Sequence, residues 1–121
     1  NGRTAVPALL KCARSKNPVL AKAATAALGN LALEPELVVP VLTSGLTNND
    51  YTICMVSARA LSKFGPVAAA ALPALVRELD NDDASVRKAA EEALGRIAPA
   101  ELKWDKENRV HKAPTVTRQF E

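Results

Sequence analysis

The chain has 121 residues, of which 48% are hydrophobic and only 3% aromatic, and its formal net charge is +3 at pH 7. This length suits one domain, and the composition fits stacked helices rich in alanine and leucine better than a β-sandwich. No run of 18 or more apolar residues occurs, so we expect no membrane-spanning segment.

A pattern of two helices joined by a polar turn occurs three times. Proline recurs every 33 residues, at Pro7, Pro40 and Pro73. A leucine follows each proline 21 residues later with no gap, at Leu28, Leu61 and Leu94. A fixed period between about 20 and 50 residues indicates a repeat array. We therefore expect repeats at about residues 1–33, 34–64 and 65–98, followed by a separate tail at 99–121.

The first repeat predicts a helix over about residues 4–14 and a second over about 18–32. Asn17 precedes the second helix, where an Asn or Asp side chain accepts a backbone N–H of the first turn. Pro18 follows at the first helical position, where the missing N–H costs nothing. The later copies have aspartate at the same place, so we expect an N-cap in every repeat. These aspartates are Asp50 and Asp83.

Prolines also mark how the later repeats begin. Pro35 is expected in the first helical turn of repeat two, and Gly65 and Pro66 open repeat three. If the first helix of repeat three begins at Pro66, then Pro73 lies inside it, where it removes a backbone hydrogen bond and kinks the helix. Because all three copies have this proline, we expect the bend to belong to the shape of the repeat.

Apolar residues at corresponding positions predict the core. Within each second helix they fall at i, i+3, i+7, i+8 and i+11, which is one stripe of a helix. Small residues in such columns let helices approach closely, and Gly29, Ser62 and Gly95 are interpreted in the same way. The columns are Leu9, Leu42 and Leu75; Ala13, Leu46 and Leu79; Leu20, Ile53 and Val86; Ala23, Val56 and Ala89; Ala27, Ala60 and Ala93; Leu28, Leu61 and Leu94; and Leu31, Phe64 and Ile97.

Two segments of the third repeat carry a family resemblance. They are Leu-Pro-Ala-Leu at 72–75 and Val-Arg-Lys-Ala-Ala-Glu-Glu-Ala-Leu-Gly-Arg-Ile at 86–97. With Ala-Thr-Ala-Ala-Leu-Gly-Asn-Leu at 24–31, they resemble a HEAT repeat, most closely the short bacterial HEAT-like repeat also found in phycobilisome lyases. The resemblance covers roughly residues 4–98. It implies an all-α fold, an α-solenoid of three two-helix repeats with a C-terminal tail.

The resemblance also bears on how the repeats are joined. The family usually has an aspartate in the turn and an arginine in the second helix, which form a ladder between repeats. Only Arg87 keeps the arginine, because Ala21 and Cys54 stand in its column. We therefore expect apolar packing, rather than a charged ladder, to join these repeats. The aspartate column holds Ser15, Asn48 and Asn81.

The tail at 99–121 breaks the repeat and contains the only tryptophan, Trp104, and the only histidine, His111. Chain ends are often frayed, but a repeat array needs a cover for its last apolar face, which we expect at Leu94 and Ile97. We therefore predict that the region of Trp104 packs on a helical surface. It would do so as a cap on its own chain or as an arm exchanged with a second copy, giving self-association.

No catalytic constellation is recognisable, so we predict a protein that is not an enzyme and uses no cofactor or metal. His111 has no partner residues for nucleophilic catalysis or zinc binding. The acidic segment 80–83 lacks the glycine and distal glutamate of a calcium loop and is interpreted as a solvated turn. Cys12 and Cys54 fit no metal or redox pattern, and free thiols are typical of a reducing compartment, so we expect a cytoplasmic protein.

The exposed side of the second helices is the candidate binding site, because a solenoid builds its concave surface from repeated elements. Its mixed surface has an excess of basic residues, which suits a peptide or an acidic protein segment. The modest net charge and the scarcity of aromatic residues argue against a nucleic-acid partner. The candidate residues are Lys22, Met55, Arg59, Lys63, Lys88, Glu91, Glu92 and Arg96, with Thr25 on the same side.

Two functions are compatible with these features. The leading hypothesis is a non-catalytic protein–protein interaction or scaffold module that binds a partner through its concave face or an open end. An ordinary solvated helix face is the competing interpretation of the same residues. The alternative function, by analogy with the resemblance alone, is a lyase-type chaperone subunit of a bilin-handling enzyme, although fold does not imply function.

Overall fold

A computed structural model describes residues 2–98, with side chains from residue 4 onward. This part of the chain is all-helical and contains no strand, as predicted. The elements in chain order are α1 (Gly2–Ala13), α2 (Pro18–Leu31), α3 (Pro35–Gly45), α4 (Tyr51–Phe64), a 3₁₀ helix (Gly65–Ala71), α5 (Leu72–Glu78) and α6 (Ala84–Ile97).

Each repeat is a pair of packed helices, and the pairs stack in chain order. The first helix contacts the second within each repeat, as α1 with α2, α3 with α4, and α5 with α6. The second helices form a continuous row in which α4 packs between α2 and α6. The first helices contact one another much less, and α3 meets mainly the 3₁₀ helix of the next repeat. The row of second helices therefore holds the repeats together.

Side-chain caps start every second helix at the predicted residue. The Asn17 Oδ1 atom accepts the backbone N–H of Val19 at 3.0 Å, and the Asp50 Oδ1 atom accepts that of Thr52 at 2.8 Å. The Asp83 Oδ1 atom accepts the backbone N–H of Ser85 at 2.8 Å. These bonds satisfy donors that have no partner inside the helix. The three predicted N-caps are thus confirmed.

The first helix of repeat three differs from the prediction of one helix kinked at an interior proline. It is divided into the 3₁₀ helix and α5, with a non-helical backbone at Ala68, and Pro73 lies in the first turn of α5. Pro73 has no N–H to donate to the carbonyl of Ala69, four residues earlier. The backbone N–H of Leu72 donates to that carbonyl instead, which is a 3₁₀ bond. Pro7 and Pro40 lie inside their helices, as predicted.

In repeats two and three, all residues of the predicted apolar columns except Ile53, Val56 and Val86 belong to one contiguous core. The columns of Leu42, Leu61 and Val86 are buried there. In repeat one, however, Leu20 is 44% exposed and Ala23 is also exposed, contrary to the column prediction. Of their counterparts in α4 and α6, Ile53, Val86 and Ala89 are buried and Val56 is half-buried, and each of these helices packs on the preceding second helix. No described helix packs on that side of α2, so Leu20 and Ala23 remain exposed to solvent.

Gly29 is a point of close helix packing, as the sequence predicts. A Cβ atom built on Gly29 would lie 2.6 Å from the Cα atom and 2.7 Å from the Cβ atom of Ala60. Real Cβ atoms do not approach backbone this closely, so only glycine permits the present separation of α2 and α4. The contact also shows that the column of Gly29, Ser62 and Gly95 faces the following repeat.

The end of α6 differs from the expectation of an uncovered apolar face. Leu94 and Ile97 are buried in the core, with exposures of 1% and 4%. The reason is their register, because the column that faces a following repeat is that of Gly95 and not that of Leu94. The predicted packing of Trp104 falls outside the described residues, as does the rest of the tail.

Candidate protein-binding face

The second-helix face comprises the outward residues of α2, α4 and α6, and it contains the eight candidate residues. Arg59, Lys63, Lys88, Glu92 and Arg96 are exposed, whereas Lys22, Met55 and Glu91 are half-buried. Thr25 is wrongly placed by the sequence analysis. It is 4% exposed, and its hydroxyl group donates to the carbonyl oxygen of Ala21 at 2.7 Å.

The repeat arranges these residues in rows that cross the helices. Residues 33 apart occupy the same level of neighbouring second helices, so Lys63 of α4 lies beside Arg96 of α6, and Arg59 lies beside Glu92. Packed helix axes are about 8–10 Å apart. Arg59 and Lys63 are also one turn apart on α4 and therefore lie on the same side. The third row consists of Lys22, Met55 and Lys88.

The second-helix face has an excess of positive charge. Five of its residues are cations and two are carboxylates. Within residues 4–98, Arg59, Lys63 and Arg96 form no salt bridge or side-chain hydrogen bond. The row of Lys63 and Arg96 has two exposed cations and no acidic residue, whereas one of the two cations of the third row, Lys22, is half-buried.

The turns that connect the two helices of repeats two and three use polar groups in internal hydrogen bonds. In repeat three, the Arg87 Nη1 atom donates to the carbonyl oxygens of Asn81 at 2.6 Å and Asp82 at 3.1 Å. The Asn81 Oδ1 atom accepts the backbone N–H of Asp83 at 2.8 Å. The prediction that residues 80–83 form a turn with an N-cap is confirmed. Arg87 braces the turn of its own repeat through these bonds.

In repeat two the same bracing is performed by a thiol. The Cys54 Sγ atom donates to the carbonyl oxygens of Asn48 at 2.9 Å and Leu46 at 3.3 Å. Burial of the thiol, together with the nearby carboxylates of Glu78 and Asp50, raises the pKa of Cys54 above its ordinary value. The thiol therefore stays protonated at neutral pH and acts as a structural donor. Cys54 and Cys12 are both free of disulfide bonds.

No helix within residues 2–98 is long and apolar enough to cross a membrane. Over the same part of the chain, no group of three or more His, Cys, Asp or Glu side chains is placed to hold a metal ion.

A groove on the opposite side of the molecule was missed by the sequence analysis. It lies between α3 and the 3₁₀ helix with α5, and its volume is about 790 Å³. Val67, which lines it, is 62% exposed. The available signal was the pair of alanines Ala70 and Ala74, which stand where repeat two has Leu37 and Val41.

Comparison with known proteins agrees with this architecture. A family model described as HEAT repeats matches residues 6–95, which is most of the chain. The chain belongs to the HEAT-repeat family. HEAT repeats are generally protein-interaction or scaffold modules, and the stacked helix pairs are those of an α-solenoid. No curated protein matches the chain. The narrower likeness to phycobilisome-lyase repeats, with its bilin-handling alternative, stays a prediction.

Proposed function

We propose that this HEAT-repeat protein is a non-catalytic interaction module whose second-helix face binds an acidic segment of a partner protein. The observation that carries the proposal is the row formed by Lys63 and Arg96 with Arg59 beside it. These cations are exposed and form no salt bridge within residues 4–98, although Glu92 lies beside Arg59 and one turn from Arg96. Complementary charge across an interface gives specificity and a faster association rate.

The spacing of the row defines the partner further. Cations on two packed helices are on the order of 8–10 Å apart. A peptide in the polyproline II conformation advances about 3.1 Å per residue with three residues per turn. Carboxylates three residues apart on such a segment lie on the same side, about 9 Å apart, and would therefore match Lys63 and Arg96. Met55 is half-buried in the third row, about two helical turns from Lys63, and supplies an adaptable apolar contact for a residue of the segment beyond the two carboxylates.

The test is binding of a synthetic peptide with glutamates three residues apart, measured by calorimetry against the same peptide with glutamine. The double variant Lys63→Glu with Arg96→Glu should abolish binding to the glutamate peptide. The matched control is Lys11→Glu with Lys16→Glu, which changes the net charge equally at exposed positions away from the face. We expect this control to retain binding. Equal losses in both double variants would mean that net charge, and not this face, attracts the peptide.

A further inference from the structure

The groove between the first helices of repeats two and three is built from two walls. One wall is formed by α3 and the turn that follows it. The residues of α3 in this wall are Pro35, Glu36, Val39, Pro40, Thr43 and Ser44, and the turn contributes Thr47. The other wall is the 3₁₀ helix with α5, which contributes Val67, Ala70, Ala74 and Arg77. Clefts of about 300–1,000 Å³ enclose small ligands, so a volume of about 790 Å³ suits a few side chains and not a whole helix.

The groove is open because its second wall is made of small residues. Ala70 and Ala74 occupy the positions that Leu37 and Val41 occupy one repeat earlier. A 3₁₀ helix with a non-helical backbone at Ala68 also replaces the first part of a regular helix here. Small side chains and the irregular backbone together leave the apolar residues Val39 and Val67 beside open space.

Opposite charges stand at the two ends of the groove. Glu36 lies in the first turn of α3, and Arg77 lies at the level of Ser44, which is its counterpart 33 residues earlier. Both side chains are exposed, and neither forms a salt bridge within residues 4–98. At a rise of about 1.5 Å per residue, the two ends are about 12 Å apart along α3. This is the length of about four extended residues.

The wall formed by α3 is rich in hydrogen-bond acceptors. Pro40 supplies no N–H to the carbonyl of Glu36, four residues before it. The hydroxyl groups of Thr43 and Ser44 donate to the carbonyls of Val39 and Val41, at 2.7 and 2.8 Å. The hydroxyl protons of Thr43 and Ser44 are thus already in hydrogen bonds, whereas the two hydroxyl oxygen atoms can still accept a hydrogen bond from a ligand. A ligand that fits this wall supplies donors, as the backbone N–H groups of an extended peptide do.

We propose that this groove binds a short extended peptide segment of another protein. The segment has a basic side chain at the Glu36 end, a carboxylate at the Arg77 end, and apolar side chains between them over Ala70 and Ala74. This surface lies among the first helices, so it is separate from the second-helix face proposed above. The two sites allow one HEAT module to hold two partners of different chemistry.

The probe for the test is acetyl-Lys-Leu-Val-Leu-Glu-amide, titrated against the full chain and followed by NMR of the valine methyl groups. Two control peptides carry lysine at both ends or glutamate at both ends. We expect saturable shifts at Val39 and Val67 with the mixed peptide and weaker binding of both controls. Glu36→Lys should lower the affinity for the mixed peptide by about two- to fivefold, as for loss of an exposed ion pair. The same variant should raise the affinity for the peptide with two glutamates.

Variants at neighbouring alanines test the groove itself. Ala70→Leu fills the groove with the residue that repeat two has at this position and should abolish binding. Ala69→Leu adds the same side chain at an exposed position that does not line the groove, and it should retain binding. Since both changes are at exposed alanines, both variants are expected to melt at the temperature of the parent. Retained binding by Ala70→Leu, or loss in both variants, would overturn the proposal.

Photocrosslinking identifies the occupant. A benzophenone residue in place of the exposed Val67 should crosslink the added mixed peptide, and excess unlabelled peptide should suppress the product. Crosslinks to residues 99–121 of the same chain, which persist in the presence of the peptide, would assign the groove to the chain's own tail and overturn the proposal. A crosslinked dimer, with a doubled mass in light scattering, would assign it to a second copy and overturn it equally.

Discussion

The thiol of Cys54 and the guanidinium group of Arg87 bind the same turn carbonyl in successive repeats. The two residues are 33 apart, and so are Asn48 and Asn81, whose carbonyl oxygens accept from them at 2.9 and 2.6 Å. The short, neutral thiol of Cys54 and the long, charged guanidinium group of Arg87 therefore both stabilise the turn before the second helix by binding its carbonyl oxygen. In this chain the arginine position braces a turn within its repeat, and the packing of apolar columns joins one repeat to the next.

We expect loss of the donor at either position to destabilise the fold. A buried carbonyl left without its donor costs about 1–3 kcal/mol, so Cys54→Ala should lower the free energy of unfolding by about that amount. Cys54→Ser keeps a donor and should lose less. Arg87→Ala should lower the free energy of unfolding by about 0.5–1.5 kcal/mol, because the two carbonyls that Arg87 binds are partly or fully accessible to water. Urea titration measures all three, and equal midpoints for Cys54→Ala and the parent would contradict the role of the thiol.

Stability should depend on pH through Cys54. An unfolded thiol has a pKa of about 8.5, whereas burial raises the pKa of Cys54 in the folded chain. Below about pH 8.5 the thiol is protonated in both states. As the pH rises above that value, the unfolded chain loses the proton first, so the free energy of unfolding falls until the raised pKa is passed.

The measurement is a series of urea titrations of the parent and Cys54→Ser between neutral pH and about one unit above the pKa of an unfolded thiol. The parent should lose stability more steeply than Cys54→Ser, which has no thiol at this position. Cys12 is present in both proteins, so its titration cancels. Parallel stability curves would show that the folded and unfolded pKa values of Cys54 are alike.

The central leucine column should dominate stability. Leu61 is 0% exposed and lies in the middle repeat, with helices packed on both sides. Leu61→Ala is expected to lower the free energy of unfolding by about 2–5 kcal/mol, the usual range for a buried leucine. Lys63→Ala, two residues away and exposed, should change it by less than about 0.5 kcal/mol. Equal thermal midpoints for the two variants would refute the register of α4.

A methyl group at Gly29 should push α2 and α4 apart. Overpacking typically costs about 1–3 kcal/mol, whereas alanine gains about 1 kcal/mol over glycine inside a helix. Because the added Cβ atom meets the Cα atom of Ala60 at 2.6 Å, and backbone cannot move aside like a flexible side chain, we expect a net loss for Gly29→Ala. The exposed neighbour provides the control, since Asn30→Ala should not destabilise. A more stable Gly29→Ala variant in thermal melts would contradict the close approach.

Local and repeated features of this fold could be predicted from the sequence. Asn17, Asp50 and Asp83 cap their helices because the side chain and the bonded N–H are only two residues apart, so the geometry is independent of the rest of the fold. The core columns of repeats two and three follow from the helical period combined with the 33-residue repeat. The family assignment rests on the same regularity.

Positions that depend on a neighbouring repeat could not be predicted from one repeat alone. Leu20 has the same column as Ile53 and Val86, yet it is exposed, because burial depends on whether another helix lies beside it. Thr25 has a polar side chain but is buried, because its hydroxyl group bonds to a carbonyl of its own helix. The residue type gave no indication of either outcome.

The sequence by itself determined the helix pairs, their caps and the stacking period, since each depends on contacts that recur at fixed spacing along the chain. Only the tertiary structure decided which surfaces remain available to partners. The cations of the second-helix face lie side by side because α4 packs on α6, and the groove exists because Ala70 and Ala74 stand across from α3. Both depend on the separation of helices that are distant in sequence, which is set by packing of side chains from several repeats at once.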